Sequence, residues 1–258
     1  IKITDWEGKN PEWSIFEVLW ESEKPWVDIM GIALEWGARI RFGESVLSEA
    51  EKLKFEEQKS RIDLTKKLIF TIDGEDAKDL DDAVSVEKEG KSYKLIVSIA
   101  DVAEYVKEWS FLDKEAFKRW NSTYLADRVI PMLPEKISND LCSLNPNTKK
   151  LTLSCEIVMD EKWTILSSKV YKSIINSSFR LTYKEVQNML DDEKNSIWKE
   201  LMFGGVISDN LAETINESFK LKQIITKNKK ELWVLDFDFP ETKLILDSEN
   251  NPIDIIKY

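Results

Sequence analysis

Four carboxylates, Asp73, Asp79, Asp81 and Asp82, stand between two apolar, β-branched runs, Leu68-Ile-Phe-Thr-Ile72 and Ala83-Val-Ser-Val86. The runs predict strands, which puts the acids at a sheet edge and not on a helix. Carboxylates crowded within a few ångströms repel one another and raise each other's pKa unless a cation neutralises them. No folding requirement explains such a density of negative charge, so the segment predicts a divalent-metal site.

The chemistry of that site is bounded by what the chain lacks. There is no histidine among the 258 residues, which argues against zinc chemistry, a Ser-His-Asp triad and imidazole bases. Oxygen ligands alone suit a hard ion, Mg²⁺ with Mn²⁺ as the second choice. A solvated acidic loop is the bland alternative. An EF-hand starting at Asp76 fails, because Asp81 falls where the loop's turn glycine belongs. Asp81 and Asp82 are neighbours, and extended neighbours diverge; a turn or bulge at Leu80-Asp81 is required for both to face one site.

Strands are expected at about Asp82–Glu87 and Tyr93–Ile99, joined by the hairpin signal Lys88-Glu-Gly-Lys91, and again at Leu151–Met159 and Ile165–Ile175. Helices are expected over Leu112–Trp120, over Thr182–Leu190 with Thr182 and Glu185 as a capping box, and over Ser208–Asn228. Ser45 to Lys59 reads as a connecting helix, and the alternation from Lys2 to Val27-Asp-Ile-Met30 reads as the last strands of a small barrel. Strands and helices intersperse without regular βαβ repetition, so the fold class is α+β, a mixed or antiparallel sheet with helices.

The run Thr71-Ile-Asp-Gly-Glu-Asp-Ala-Lys-Asp-Leu-Asp-Asp-Ala-Val84 resembles the catalytic signature of the ribonuclease II/ribonuclease R (RNB) exoribonucleases. Matching blocks follow in order: Ile99-Ala-Asp-Val102, Asn121-Ser-Thr-Tyr124, Arg128-Val-Ile-Pro-Met-Leu-Pro134, Leu141-Cys-Ser-Leu-Asn-Pro146, Leu151-Thr-Leu-Ser-Cys-Glu156 and Leu235-Asp-Phe-Asp-Phe239. The form is closest to ribonuclease R. The resemblance implies that 1–42 closes a cold-shock (OB-type) domain, 43–65 is a connecting helix and linker, and 66–258 begins an RNB catalytic domain. It also implies hydrolysis of single-stranded RNA from its 3′ end to nucleoside 5′-monophosphates by two metal ions, with Asp73, Asp79, Asp81 and Asp82 as the catalytic, metal-holding set. A non-catalytic RNA-binding protein that keeps the fold is the alternative. The family's later catalytic arginine and S1 domain are not matched, so the chain is expected to be an internal fragment, poorly active or inactive alone, of a protein that is monomeric when whole.

By the same resemblance Tyr124 stacks on a base, Phe237 is a candidate for the opposite face of that clamp, and Arg128 is a candidate phosphate contact. A half-buried tyrosine and a structural ion pair are the plainer readings of the first and last. Asp101 is expected to be structural, capping backbone amides. The net charge of −11 is unusual for an RNA binder. Lys66-Lys67, Lys149-Lys150 and Lys227-Asn-Lys-Lys230 are candidate phosphate contacts, with solvated surface the plainer reading. No apolar segment approaches a membrane span. Cys142 and Cys155 are too few for a disulfide framework, so a reducing cytoplasm is expected.

Tryptophan outnumbers glycine, 10 to 8, although glycine alone ordinarily makes up about 7% of residues. Several tryptophans occupy turn contexts that want a small residue: Pro25-Trp-Val27, Glu108-Trp-Ser110, Arg119-Trp-Asn121 and Lys162-Trp-Thr164. In the family's matching blocks glycine commonly stands at the positions of Trp13, Trp20, Trp26, Trp109, Trp120, Trp163 and Trp233. UGA codons that the source organism reads as glycine would produce this pattern; a tryptophan-rich interface protein is the alternative.

Overall fold

The computed structural model describes residues 2–5, 12–15, 18–19, 25–192, 199–232, 234, 242–249 and 251–257. In chain order the elements are β1 (Lys2–Asp5), β2 (Glu12–Ser14), α1 (Pro25–Glu35), α2 (Glu44–Lys52), β3 (Ile62–Asp63), β4 (Phe70–Asp73), β5 (Asp82–Glu89), β6 (Ser92–Ala100), α3 (Val102–Tyr105), α4 (Phe111–Arg119), β7 (Thr123–Tyr124) and β8 (Val129–Ile130). After a π-helical turn, Lys136–Leu141, come β9 (Lys149–Asp160), β10 (Ile165–Asn176), β11 (Phe179–Thr182), α5 (Tyr183–Asp191), α6 (Asp209–Glu231), β12 (Thr242–Leu246) and β13 (Pro252–Lys257). The chain divides into two units, residues 43–115 with 133–237, and residues 1–42 with 116–132 and 238–258.

The larger unit is built on a seven-stranded sheet in the order β11-β4-β5-β6-β9-β10-β3. Its interior pairs are antiparallel, whereas β11 on β4 and β3 on β10 are parallel. The mixed sheet with interspersed helices is the α+β architecture that the sequence predicts. Gly90, at φ +63°, turns the β5–β6 hairpin in a conformation that costs glycine nothing.

Helix α5 forms because the capping box is complete: Thr182 Oγ1 accepts from the Glu185 amide, and the Glu185 carboxylate accepts from the Thr182 amide. Helix α6 is capped by Ser208, whose hydroxyl accepts from the Leu211 amide. Helix α5 packs against β4 and β11, and α6 against β5 and α5. Phe70, Leu181, Met189, Leu201, Ile207, Leu211, Ala212 and Ile215 form one core cluster. Removing that much apolar surface from water, at about 25 cal/mol per Å², holds the end of β4 rigid from behind.

In the smaller unit β1 pairs with β2, β7 with β8 and β12 with β13, each pair antiparallel. Val27–Met30, expected at the end of a barrel strand, lies inside α1, and the described residues contain no closed barrel. The physical reason is legible afterwards: Pro25 suits a first helical position, Asp28 faces the positive helix end, and Val27, Met30 and Ala33 are buried at a helical spacing. The connecting helix expected to run to Lys59 stops at Lys52, where Leu53 turns extended at ψ 138°. Only Val46 and Ala50 of α2 are buried, so no apolar stripe carries it further.

Candidate functional site

The acids sit where three strands meet. Asp73 ends β4, Asp82 opens β5, and the segment between them loops out with Asp79 and Asp81. Register places Thr182 of β11 beside Asp73 on one flank, and Phe70 opposite Val84 of β5 on the other. The loop is fastened from several sides. Ser143 Oγ accepts from the Leu80 amide and donates to the Lys78 carbonyl. Leu80 itself is fully buried, its carbonyl accepts from the Leu144 amide, and the Asp81 carbonyl accepts from the Ala100 amide. The turn or bulge expected at Leu80-Asp81 is not found: the bond from Ala100 to Asp81 carries the β5–β6 ladder one residue further, with Leu80 buried and Asp81 and Asp82 both exposed.

The acids lie close enough to act on one another's charge. Burial, then the charges of Asp82 and Asp81, push Asp73 up to about 6, against a small lowering by Arg180 and a further push from Asp79. Asp82 is raised by its own burial and by Asp81. Asp73 Oδ2 is buried without a hydrogen-bond partner, and an orphaned buried carboxylate oxygen beside further acids is a donor set suited to a hard cation. Among the described residues no three acids converge tightly enough to cage an ion as they stand.

That geometry fixes a pH dependence. A cation bound at Asp73 would have to displace its proton, so divalent binding there would weaken as pH falls through about 6. The sign for stability is opposite in the metal-free protein. The folded carboxyl binds its proton more tightly than the unfolded one, so this group's contribution favours the fold more as pH drops from 7 toward 4. Melting scans with and without divalent ion at pH 7.5 and 5.5 check both parts: the ion-induced rise in Tm should shrink at the lower pH.

Arg180 is a site residue that the motif reading missed. It lies on β11, opposite in facing to buried Leu181, and its Nη2 donates to the carbonyls of Ala77 at 2.6 Å and Glu75 at 3.3 Å. Its guanidinium stacks over Phe203 at 3.5 Å. One guanidinium nitrogen donates to both carbonyls while the plane stacks on a ring, and an ammonium has no plane to stack. Arg180 therefore fastens the outer limb of the acidic loop. Its signal in the sequence was an arginine within Phe179-Arg-Leu-Thr182, on a strand too short to announce its neighbour. Arg180→Ala and Arg180→Lys are both expected to weaken divalent binding roughly 10–100-fold, read by titrating the ion against Tm.

Tyr124 and Arg128 belong to the smaller unit. Tyr124 is 67% exposed on β7, paired with Val129, so its ring presents a face to solvent. Arg128 is held by Asp127, at 2.9 Å from Nε and 2.7 Å from Nη2, and lies over the Trp26 ring at 5.0 Å. Phe237 and the Leu235–Phe239 block lie outside the described residues. Asp101 is structural, but by another means than amide capping: its carboxylate takes Arg61 at 2.7 Å and makes no cap hydrogen bond. Of the basic clusters, Lys67 pairs with Glu87 and Lys149 with Glu57, while Lys150 is buried on the Asp140 carbonyl.

Comparison with known proteins matches residues 61–258 to the RNB domain model. Ribonuclease R of Mycoplasmopsis pulmonis is 41% identical over 220 residues, 84% of this chain and 29% of that protein. Ribonuclease R of Thermotoga maritima is 39% identical over 260 residues, 96% of this chain and 35% of that protein. Among solved structures, Mycoplasma genitalium RNase R in complex with double-stranded RNA superposes with a TM-score of 0.89 at 31% identity, covering 100% of this chain and 45% of that one. The chain thus spans about a third of the length of the curated relatives it matches. With the acid-bearing loop and the sheet that carries it both inside the matched region, the chain belongs to the RNB family.

Proposed function

We propose that the protein containing this chain is a hydrolytic exoribonuclease that removes nucleoside 5′-monophosphates from the 3′ end of single-stranded RNA, and that this chain supplies its metal-holding acids. The observation that carries the reading is Asp73: a buried, partnerless carboxylate oxygen whose proton is held to about 6 by burial and by Asp82, Asp81 and Asp79. Structural acids are placed beside cations or amide donors; this one is placed beside other acids. The family and the relatives named ribonuclease R agree with it.

Divalent ions, Mg²⁺ or Mn²⁺, would supply charge stabilisation at the phosphate and the departing 3′ oxygen and a lowered pKa for the attacking water. The residues' share is position. Asp73 and Asp82 are fixed by their strands, Asp79 and Asp81 by the loop anchors on Ser143, Leu144, Ala100 and Arg180. Hydrolysis adds the water oxygen to phosphorus and breaks the bond from phosphorus to the 3′ oxygen. These 258 residues contain no histidine, so a base drawn from them would be a carboxylate, and bound ions would lower the pKa of the attacking water. Tyr124 offers an exposed ring, and stacking contributes about 1–3 kcal/mol per base without regard to sequence. A reducing cytoplasm fits the two free thiols, Cys142 being buried and pushed up to about 12 by desolvation.

The test is digestion of 5′-labelled single-stranded RNA by the complete protein, with and without Mg²⁺, beside its Asp81→Asn variant. A ladder shortening from the 3′ end to a short limit product, absent in the variant, is the expected result. Retained RNA binding with no digestion would replace it by the non-catalytic reading, and internal cuts would point to another kind of phosphodiesterase.

A further inference from the structure

We propose that positions 109, 120 and 163 carry glycine in the protein as its own cell makes it, the tryptophans arising from UGA codons that the organism reads as glycine. The observation is conformational. Among the described residues four that are not glycine have φ in the left-handed region: Trp109 at +66°, Trp120 at +71°, Trp163 at +63° and Asn147 at +59°. Asparagine visits that region readily, whereas a bulky side chain there is an outlier. Three of four such positions falling on one bulky residue type is not what independent backbone accidents produce.

Each of the three stands where glycine has a specific use. The Ser110 amide donates to the Lys107 carbonyl at 3.1 Å, so Trp109 is the third residue of a β-turn with positive φ there, the glycine place of a type II turn. Trp120 directly follows α4, and its amide donates to the Ala116 carbonyl at 2.9 Å, the left-handed helix C-cap. Trp163 closes the β9–β10 connection: its amide donates to the Asp160 carbonyl and the Asp160 amide to the Thr164 carbonyl, the left-handed residue of a short hairpin loop with a bulge. Type II turn, helix C-cap and hairpin bulge share nothing but their demand for positive φ.

The side chains do not offset that cost at two of the sites. Trp109 is 72% and Trp120 78% exposed, Trp120 meeting edge-on a Phe117 ring that is itself 75% exposed, so an apolar indole is presented to water where a hydrogen atom would suffice. Trp163 does touch the cluster around Val86 and Tyr93, and there the backbone alone speaks. Trp26 and Trp36 are not in the left-handed region, and the proposal does not extend to them. UGA differs from the glycine codon GGA at one base, so a chain long exposed to such a code would accumulate UGA at glycine positions. The aromatic wall that Trp109 gives to the cleft between α2 and α4, with Ser45, Glu49, Leu53 and Phe111, would then be absent from the natural protein.

Tandem mass spectrometry of the protein isolated from its source cells decides the matter, on the peptides that contain positions 109, 120 and 163. Glycine at all three is the expected result; tryptophan in these peptides overturns the proposal. A second measurement stands apart from nuclease activity. In the complete protein produced with tryptophan at these sites, Trp109→Gly and Trp120→Gly should each raise Tm, because relief of the strained φ outweighs what an exposed indole contributes. A fall in Tm at both would show that the tryptophans are selected for contacts, as an interface protein requires.

Discussion

Asp73→Asn is expected to make the metal-free protein more stable and the complete enzyme at least about a hundredfold less active, a loss of about 3 kcal/mol of transition-state stabilisation. The two effects share one cause. At neutral pH the Asp73 carboxylate is ionised although burial and three neighbouring acids favour its protonated form, which they hold to about 6. Asparagine keeps the shape and removes the charge, so the repulsion among the acids falls, and a gain on the order of 1 kcal/mol is reasonable for such a relieved site. The same substitution removes an anionic oxygen that nothing else in the protein satisfies, and with it the rise in Tm that divalent ions should give the parent. Melting curves with and without Mg²⁺, beside digestion of labelled RNA, read both arms. If the variant melts lower without metal and still digests RNA, Asp73 is a structural acid and the site lies elsewhere.

How much of this was legible in the chain depends on the range of the interaction. The acids announced themselves because four like charges between two strands have no local explanation, and the capping box of Thr182 and Glu185 because a helix start is encoded within four residues. The β5–β6 hairpin was readable from Gly90 and its flanks. What holds the acidic loop in place was not. Ser143 reaches back 65 residues to Lys78, and Arg180 reaches back 103 to Ala77; such pairings depend on sheet order, which periodicity does not carry. Strand β11 is four residues long and pairs in parallel with β4, so its arginine arrives at the loop by topology alone. Helix α1 departs from the expected strand for the opposite reason. Its local signals, proline first and apolar residues three apart, are present, but they follow directly on a polar-apolar alternation that suits a strand equally well.

Arg61→Ala is expected to be the most damaging substitution away from the acids, costing about 3–5 kcal/mol. Arg61 precedes β3, and its side chain is wholly buried. Nη2 donates to Asp101 at 2.7 Å and to Glu104 at 2.8 Å, Nη1 to the Thr152 carbonyl at 3.1 Å and Nε to Gln58 at 2.9 Å. One guanidinium thus ties β9 to the strand-to-helix junction where Asp101 and Glu104 begin α3. Removing it leaves Asp101, only 8% exposed, with Lys172 at 3.9 Å, while Glu104 keeps Lys172 at 2.9 Å and Lys107 at 3.1 Å. Two exposed lysines, both engaged by Glu104, cannot replace a buried four-point donor for Asp101, because poorly compensated charge in a low dielectric is penalised more than an exposed pair gains. Arg61→Lys should recover little, since a point charge cannot fill the fork. Arg61→Met with Asp101→Asn and Glu104→Gln should lose less than Arg61→Ala alone, because the orphaned charges leave together with their partner. Chemical denaturation of the three variants measures this directly: equal losses for Arg61→Ala and the triple variant would mean that Arg61 acts by packing rather than by compensating charge.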